Sequence, residues 1–232
     1  MNPRLWIAYD YVSTRECLAM LDTIVERHPD RSLIHEIGRP TIINAALEGV
    51  PIVAEFRKRL TNSQTLVSDF KGYDVPYVAE AKRYYANGAD MVTVMAMAPD
   101  EAVREAIDGA RADKKMVAFD LMAYLDDEAK ARRAVRLAEM GASLISCHSG
   151  WSEQAAGKSP DALIERVCRA LDGTDARVIA MGGFTPEKVP GLRKYVRSGR
   201  IFAVVAGSAI TRNPDPNAVI DRFLDEIGEL GG

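Results

Sequence analysis

Cysteine is scarce in this 232-residue chain: Cys17, Cys147 and Cys168 have neither a CxxC pair nor metal-ligand spacing. So small and odd a number excludes a disulfide-stapled scaffold or a thiolate zinc site, and fits reduced thiols in the cytoplasm. Histidine is as rare, with only His28, His35 and His148. No sign of charge dominates. The 30 Lys and Arg against 33 Asp and Glu give a net of −3, which leaves no basic footprint for nucleic acid or an anionic membrane. No apolar run approaches the roughly 20 residues that a bilayer span requires. Linkers, low-complexity tracts and long charge blocks are missing too. The opening Asn2-Pro3-Arg4 runs straight into a strand-like segment, unlike a signal peptide. With 47% hydrophobic residues, the composition is that of a packed globular protein.

Short apolar runs recur along the chain at Leu5–Tyr9, Leu33–Ile37, Thr65–Ser68, Met91–Met95, Met116–Phe119, Leu144–Cys147, Arg177–Ala180 and Ile201–Val205. Their unalternating apolarity is that of strands covered on both faces. Helical periodicity fills the gaps, as at Val75–Ala86, Asp100–Arg111, Asp127–Glu139, Asp161–Leu171 and Pro216–Leu230. Gly88, Gly141 and Gly173 follow helix ends, and Pro160 and Pro186 stand near helix starts. Eight strand–helix units in this length predict an α/β fold, one (β/α)8 barrel domain spanning residues 1–232. An open doubly wound sheet would need fewer strands or a Gly-rich fingerprint after the first.

Barrel chemistry gathers at the C-terminal ends of the strands. Asp10, Glu36, Asp69, Asp120 and His148 close or nearly close five of the runs, and Gly182-Gly183 and Gly207-Ser208 close two more. In an extended segment Asp69 and Lys71 point the same way, while Asp74 leaves the strand and can reach elsewhere. Flanked by these two carboxylates, Lys71 stays protonated, suited to proton donation or charge stabilisation rather than to Schiff-base attack. Glu36 and Asp69 on neighbouring strands offer oxygen ligands that favour Mg²⁺. His35 alternates with Glu36 and so faces the helices; His28 sits at a polar helix end. His148, at the rim, is the natural acid/base at neutral pH. The two glycine-containing pairs read as a backbone cradle for a phosphate. Trp151 and the segment after it fit either a lid loop or a buried anchor.

These motifs resemble the orotidine-monophosphate-decarboxylase-like barrels, within them the hexulose-phosphate synthase and keto-gulonate-phosphate decarboxylase group. Asp69-Phe70-Lys71-Gly72-Tyr73-Asp74 is similar to the DxKxxD signature. Glu36-Ile37-Gly38-Arg39-Pro40 resembles the segment after strand two. His148-Ser149-Gly150 with Gln154-Ala155-Ala156-Gly157 resembles the HTG…QAAG stretch of the synthases, and Val205–Thr211 with Asp215-Pro216 the end of strand eight.

The resemblance implies a homodimeric, Mg²⁺-dependent lyase that stabilises an enediolate of a phosphorylated sugar. In it, residues matching Glu36 and Asp69 hold the metal, Lys71 stabilises the enediolate, and Asp74 reaches the partner's site. Asp10 and Asp120 contact substrate and His148 moves protons. Trp151 in place of an Arg, and Asp120 in place of a Glu, lean toward aldol addition of ribulose 5-phosphate to formaldehyde and away from decarboxylation of a keto sugar-acid phosphate. Arg39 stands where a small hydroxyl residue is usual and is a candidate substrate contact. A non-catalytic phosphosugar-binding barrel would need the cradle but not Lys71, Asp74 and His148. Tyr73, Tyr77, Tyr84 and Tyr85 fit either a dimer interface or packing on the barrel.

Overall fold

Each apolar run forms a strand: β1 (Arg4–Tyr9), β2 (Ile34–Ile37), β3 (Thr65–Gly72), β4 (Met91–Met95), β5 (Met116–Asp120), β6 (Leu144–His148), β7 (Arg177–Met181) and β8 (Ile201–Ala206). The structure is a computed structural model and describes residues 2–74, 79–123 and 126–230. Every strand pairs in parallel with its neighbours in the chain, and β8 returns to β1, closing a barrel.

Outside the strands lie α1 (Thr14–Arg27), α2 (Arg39–Leu47), α3 (Ile52–Arg59), α4 (Ala81–Ala86), α5 (Asp100–Ala112) and α6 (Asp127–Glu139). They are followed by α7 (Trp151–Ala155), α8 (Asp161–Ala170), a 3₁₀ turn at Pro186–Leu192, α9 (Arg193–Arg197), α10 (Ser208–Thr211) and α11 (Pro216–Leu230).

Local chemistry explains the helix boundaries. The Ser13 side chain accepts from the N–H of Glu16 to start α1, and Asp126 accepts from Ala129 to start α6, each satisfying a donor that a helix start leaves open. Gly88 and Gly141 adopt φ of 106° and 95° just past α4 and α6, a conformation that glycine takes without a side-chain penalty. On α8, Leu163, Ile164, Val167 and Cys168 form one buried face; burying such apolar side chains stabilises by roughly 1.5–3 kcal/mol each.

Three boundaries differ from the sequence reading. β3 runs on to Gly72, because the charged tail of the run stays hydrogen-bonded to β4 through an irregular register. The helix expected from Val75 begins at Ala81, with residues 75–78 outside those described. The segment after His148 is helical over Trp151–Ala155 instead of a loop.

Inside the barrel the side chains stack in layers. Trp6, Ile34, Val67, Met91, Ala118, Leu144, Ile179 and Ala203 form an apolar plug. Two residues further along β2 to β6, where the alternation brings the next inward side chain, come Glu36, Asp69, Thr93, Asp120 and Ser146, all buried, while β1, β7 and β8 continue with Ala8, Met181 and Val205. The polar layer therefore rests on a close-packed floor.

Candidate active site

Lys71 is the centre of the polar layer. Its Nζ lies 3.0 Å from Asp69 Oδ1 and 2.8 Å from Asp120 Oδ2. The same Asp120 oxygen is 2.9 Å from His148 Nδ1, and the other Asp120 oxygen accepts the N–H of Met122 at 2.9 Å. Burial alone would lower the Lys71 pKa, but the charges of Asp120 and then Asp69 outweigh it and hold the ammonium above its ordinary value. Burial would likewise raise Asp120, yet the His148 imidazole and then Lys71 hold its carboxyl well below the usual carboxylate range. The second carboxylate on Lys71 is thus Asp120, 49 positions away, and not Asp74 as the local spacing implies. Asp74 lies on the bend after β3 and is exposed. The lateral order of β3, β4 and β5, which no local pattern encodes, makes this exchange of partners.

Glu36 sits deeper. Its Oε2 accepts a hydrogen bond from the indole of Trp6, which is fully buried. Burial, then the neighbouring charges of Asp69 and Asp10, push its pKa well above normal, against the opposing pull of Lys71. Asp10 is raised in the same way, by burial first and Asp69 second, with Lys71, His148 and Arg212 pulling down. Three carboxylates therefore repel one another around one ammonium. That is a site short of positive charge.

Glu36 Oε1 and Asp69 Oδ2 have no hydrogen bond to any described residue, and neither is among the sealed, unpartnered buried atoms. Two oxygens of this kind suit a divalent cation that keeps several waters. Among the described residues no three His, Cys, Asp or Glu side chains are grouped to hold a metal unaided, so water or substrate oxygens would supply the remaining ligands.

Asp10 joins this cluster to the glycine side of the rim. A Cβ placed on Gly38 would lie 2.1 Å from Asp10 Oδ1, and one on Gly207 would lie 3.9 Å from Asp10 Oδ2. After β7, Gly182 and Gly183 adopt φ of 121° and 67°. A Cβ on Gly182 would strike Ser149 backbone at 2.9 Å, and one on Gly183 would come within 3.0 Å of Gln154 Oε1. Gln154 is itself fixed by donating to Ser149 O at 2.6 Å. Gly183 and Ser208 are exposed, so backbone is accessible there, as an anion cradle requires.

Of the sequence candidates, Asp10, Glu36, Asp69, Lys71, Asp120 and His148 converge at one mouth. Arg39 is exposed at the first turn of α2, directly after the Gly38 that abuts Asp10, with no ion pair to a described residue. Trp151 is 63% exposed, which excludes the buried-anchor reading. Tyr84 stacks on Phe70 with ring centroids 5.0 Å apart, and Tyr85 is buried and donates to Met116 O at 2.6 Å; both are barrel packing. Tyr73 is half exposed, and Tyr77 lies outside the described residues. His35 faces the helices as expected, 2.9 Å from the Tyr9 hydroxyl.

Two site residues escape the sequence reading. Trp6 looks like ordinary core. Thr93 donates to Asp69 Oδ1 at 2.6 Å and accepts the N–H of Lys71 at 3.1 Å. Its signal is present in the sequence: a lone hydroxyl at an inward position of the apolar run Met91–Met95.

The chain is 31% identical over 225 residues to a 3-hexulose-6-phosphate synthase of Staphylococcus haemolyticus (strain JCSC1435), with 96% of this chain and 98% of the relative covered. The crystal structure of 3-hexulose-6-phosphate synthase from Salmonella typhimurium superposes with a TM-score of 0.80 at 25% identity, covering 98% of this chain and 99% of that one. The fold is shared as well with 3-keto-L-gulonate-6-phosphate decarboxylase from Vibrio cholerae, at a TM-score of 0.78 and 16% identity over 99% of both chains. A family model matches residues 3–223, and this chain belongs to the orotidine 5'-phosphate decarboxylase / HUMPS family.

Proposed function

We propose that the protein is a Mg²⁺-dependent carbon–carbon lyase of the hexulose-6-phosphate synthase type, joining ribulose 5-phosphate and formaldehyde through an enediolate. The observation that supports this most is Lys71 Nζ held between Asp69 and Asp120, with His148 on the same Asp120 oxygen. A fixed ammonium in a partly dry site is suited to an oxyanion that develops during reaction. The two relatives named as synthases point to the same chemistry.

The residues divide the work as follows. Backbone N–H groups around Gly183 and Ser208 bind the phosphate, so that remote binding energy positions the reacting end. Asp120 holds His148 through Nδ1, leaving Nε2 to take the proton from the carbon that becomes nucleophilic. Lys71 stabilises the enediolate oxygen. As the new carbon–carbon bond forms, the formaldehyde oxygen receives a proton, which His148 returns. Asp10 orients substrate hydroxyls, and Asp120, buried with both oxygens already bonded, acts through Lys71 and His148. Glu36 and Asp69 would hold Mg²⁺, which when bound supplies Lewis-acid polarisation of a carbonyl.

The test is formaldehyde consumption dependent on ribulose 5-phosphate, run with and without a chelator, beside a panel of keto sugar-acid phosphates. Consumption that is lost on chelation and restored by Mg²⁺ is expected. Release of CO₂ from a keto-acid phosphate, without formaldehyde consumption, would establish the decarboxylase instead.

The assembly proposed with it is a homodimer in which Asp74 serves the partner's site. Asp74 is exposed just past β3, next to the half-exposed Tyr73, and makes no hydrogen bond to a described residue that would hold it to its own barrel mouth. Asp74→Ala and Lys71→Ala chains should each be nearly inactive alone and recover activity on subunit exchange, since a twofold makes one site of the heterodimer free of both lesions. No recovery despite demonstrated exchange would place Asp74 outside the partner's site.

A further inference from the structure

β3 does not reach its catalytic end as a regular strand. Lys71 has φ of 53°, one of two non-glycine residues with positive φ among those described, and the β3–β4 register shifts between Ser68 and Gly72. A non-glycine residue takes this region uncommonly and at a cost, which inside a strand the surroundings must offset. Two contacts supply that constraint. Phe70, stacked on Tyr84, lies over Gly72 so closely that a Cβ there would be 2.6 Å from the ring. From the other side, Thr93 Oγ1 takes the Lys71 N–H, substituting for the ladder partner that a bulge removes.

The hydroxyl does a second thing at once. A hydroxyl has one proton to give and two lone pairs; Thr93 gives its proton to Asp69 Oδ1 and accepts from Lys71. Asp69 Oδ1 also accepts from Lys71 Nζ at 3.0 Å. The result is a closed ring: Lys71 backbone to Thr93, Thr93 to Asp69, Asp69 to the Lys71 ammonium. The backbone end of Lys71 is tied to this buried hydroxyl directly and the ammonium end through Asp69 Oδ1, which leaves Asp69 Oδ2 with no hydrogen bond to a described residue.

We propose that Thr93 is a positioning residue of the active site, setting the Lys71 backbone and the Asp69 carboxylate in a single register. It touches no substrate itself. This deepens the function proposed above, and the test separates the two.

Thr93→Val keeps the shape and removes the hydroxyl, Thr93→Ser restores it, and Thr93→Ala serves in place of Val should Val not fold. Amide hydrogen exchange at Lys71, followed by NMR in the protein without substrate, reads the register without any turnover. Exchange at Lys71 should quicken at least tenfold in Thr93→Val and return to the wild-type rate in Thr93→Ser. In the formaldehyde assay, kcat should fall about 10–100-fold in Val with KM within about threefold, and Ser should recover most of it. Unchanged exchange, unchanged kcat, or a failure of Ser to rescue would overturn the proposal. If the wild-type protein does not consume formaldehyde, the proposed function fails, and the exchange contrast alone still decides where Thr93 holds Lys71.

Discussion

The rim of this barrel has two unlike halves. From β2 to β6 it presents titratable side chains, buried or half-buried: Asp69, Lys71, Asp120 and His148 bonded in a chain, with Glu36 beside them on the Trp6 indole. After β7 and β8 it presents backbone, with Gly182 and Gly183 at positive φ and Gly207-Ser208 opposite. Side-chain charge answers to its surroundings: burial and then Asp69 push Glu36 up, while Asp120, against its burial, is held down by His148 and Lys71. Backbone N–H groups do not titrate, and the turns that carry them fix their direction. The first half suits a charge that appears during reaction, and the second a charge that is always present. Asp10, between Gly38 and Gly207, is where the halves meet.

The largest effect expected from breaking this division is at its charged centre. Lys71→Met removes the ammonium while keeping most of the stem, and kcat should fall by about 10³-fold or more, measured by formaldehyde consumption at saturating sugar phosphate. Asp120→Asn should cost about 10²-fold in kcat, since it weakens the hold on both Lys71 and His148 at once. On the glycine half the effect should move from rate to binding and fold. Gly182→Ala would force a Cβ against Ser149 backbone at a φ of 121°, and thermal or urea unfolding should register a loss of about 1–3 kcal/mol.

The smallest effect lies behind the barrel wall, and it contrasts one histidine with another. His35 is one residue from Glu36 but faces outward onto Tyr9. Burial, with Arg57, Arg4 and His28 adding to it, pulls its pKa down to about 3. Unfolded, it would titrate near the ordinary value of about 6.5. Its contribution is therefore whole above that value and is lost as pH falls, because the unfolded chain then binds the extra proton. The slope is ~1.4 kcal/mol per pH unit, or about 2 kcal/mol between pH 6.5 and 5. Urea unfolding of His35→Gln, which keeps an acceptor for the Tyr9 hydroxyl, should show a flatter acid limb than the parent over that window. Parallel limbs would contradict the assignment.

Much of this architecture is legible in the residues because two simple signals coincide. Apolar runs covered on both faces mark the strands, and an ionisable residue or a glycine at the end of a run marks the rim; Asp10, Asp69, Asp120 and His148 stand out this way. Pairings between strands that are distant in the chain are not legible. Lys71 and Asp120 are adjacent only because β3, β4 and β5 lie side by side, so the nearer Asp74 looks like the partner. The positive φ of Lys71 is hidden as well, since a lysine gives none of the local warning that a glycine does. Thr93 and Trp6 are hidden by their surroundings: each sits in an apolar run, where a hydroxyl or an indole N–H reads as filler until the inward register of the strand is known.

The division of labour itself is tested most directly by titrating ribulose 5-phosphate, in the presence of Mg²⁺, into Lys71→Met and Gly183→Ala by isothermal calorimetry. Gly183→Ala meets the Gln154 side chain and takes a φ of 67° at a cost of about 1–2 kcal/mol, so the fold should persist while the turn that aims the backbone N–H groups is disturbed. Lys71→Met should bind within about tenfold of the parent although it no longer turns over, and Gly183→Ala should bind at least tenfold more weakly than the parent. Loss of binding in Lys71→Met, together with parental affinity in Gly183→Ala, would contradict the assignment of chemistry to one half of the rim and of phosphate anchoring to the other.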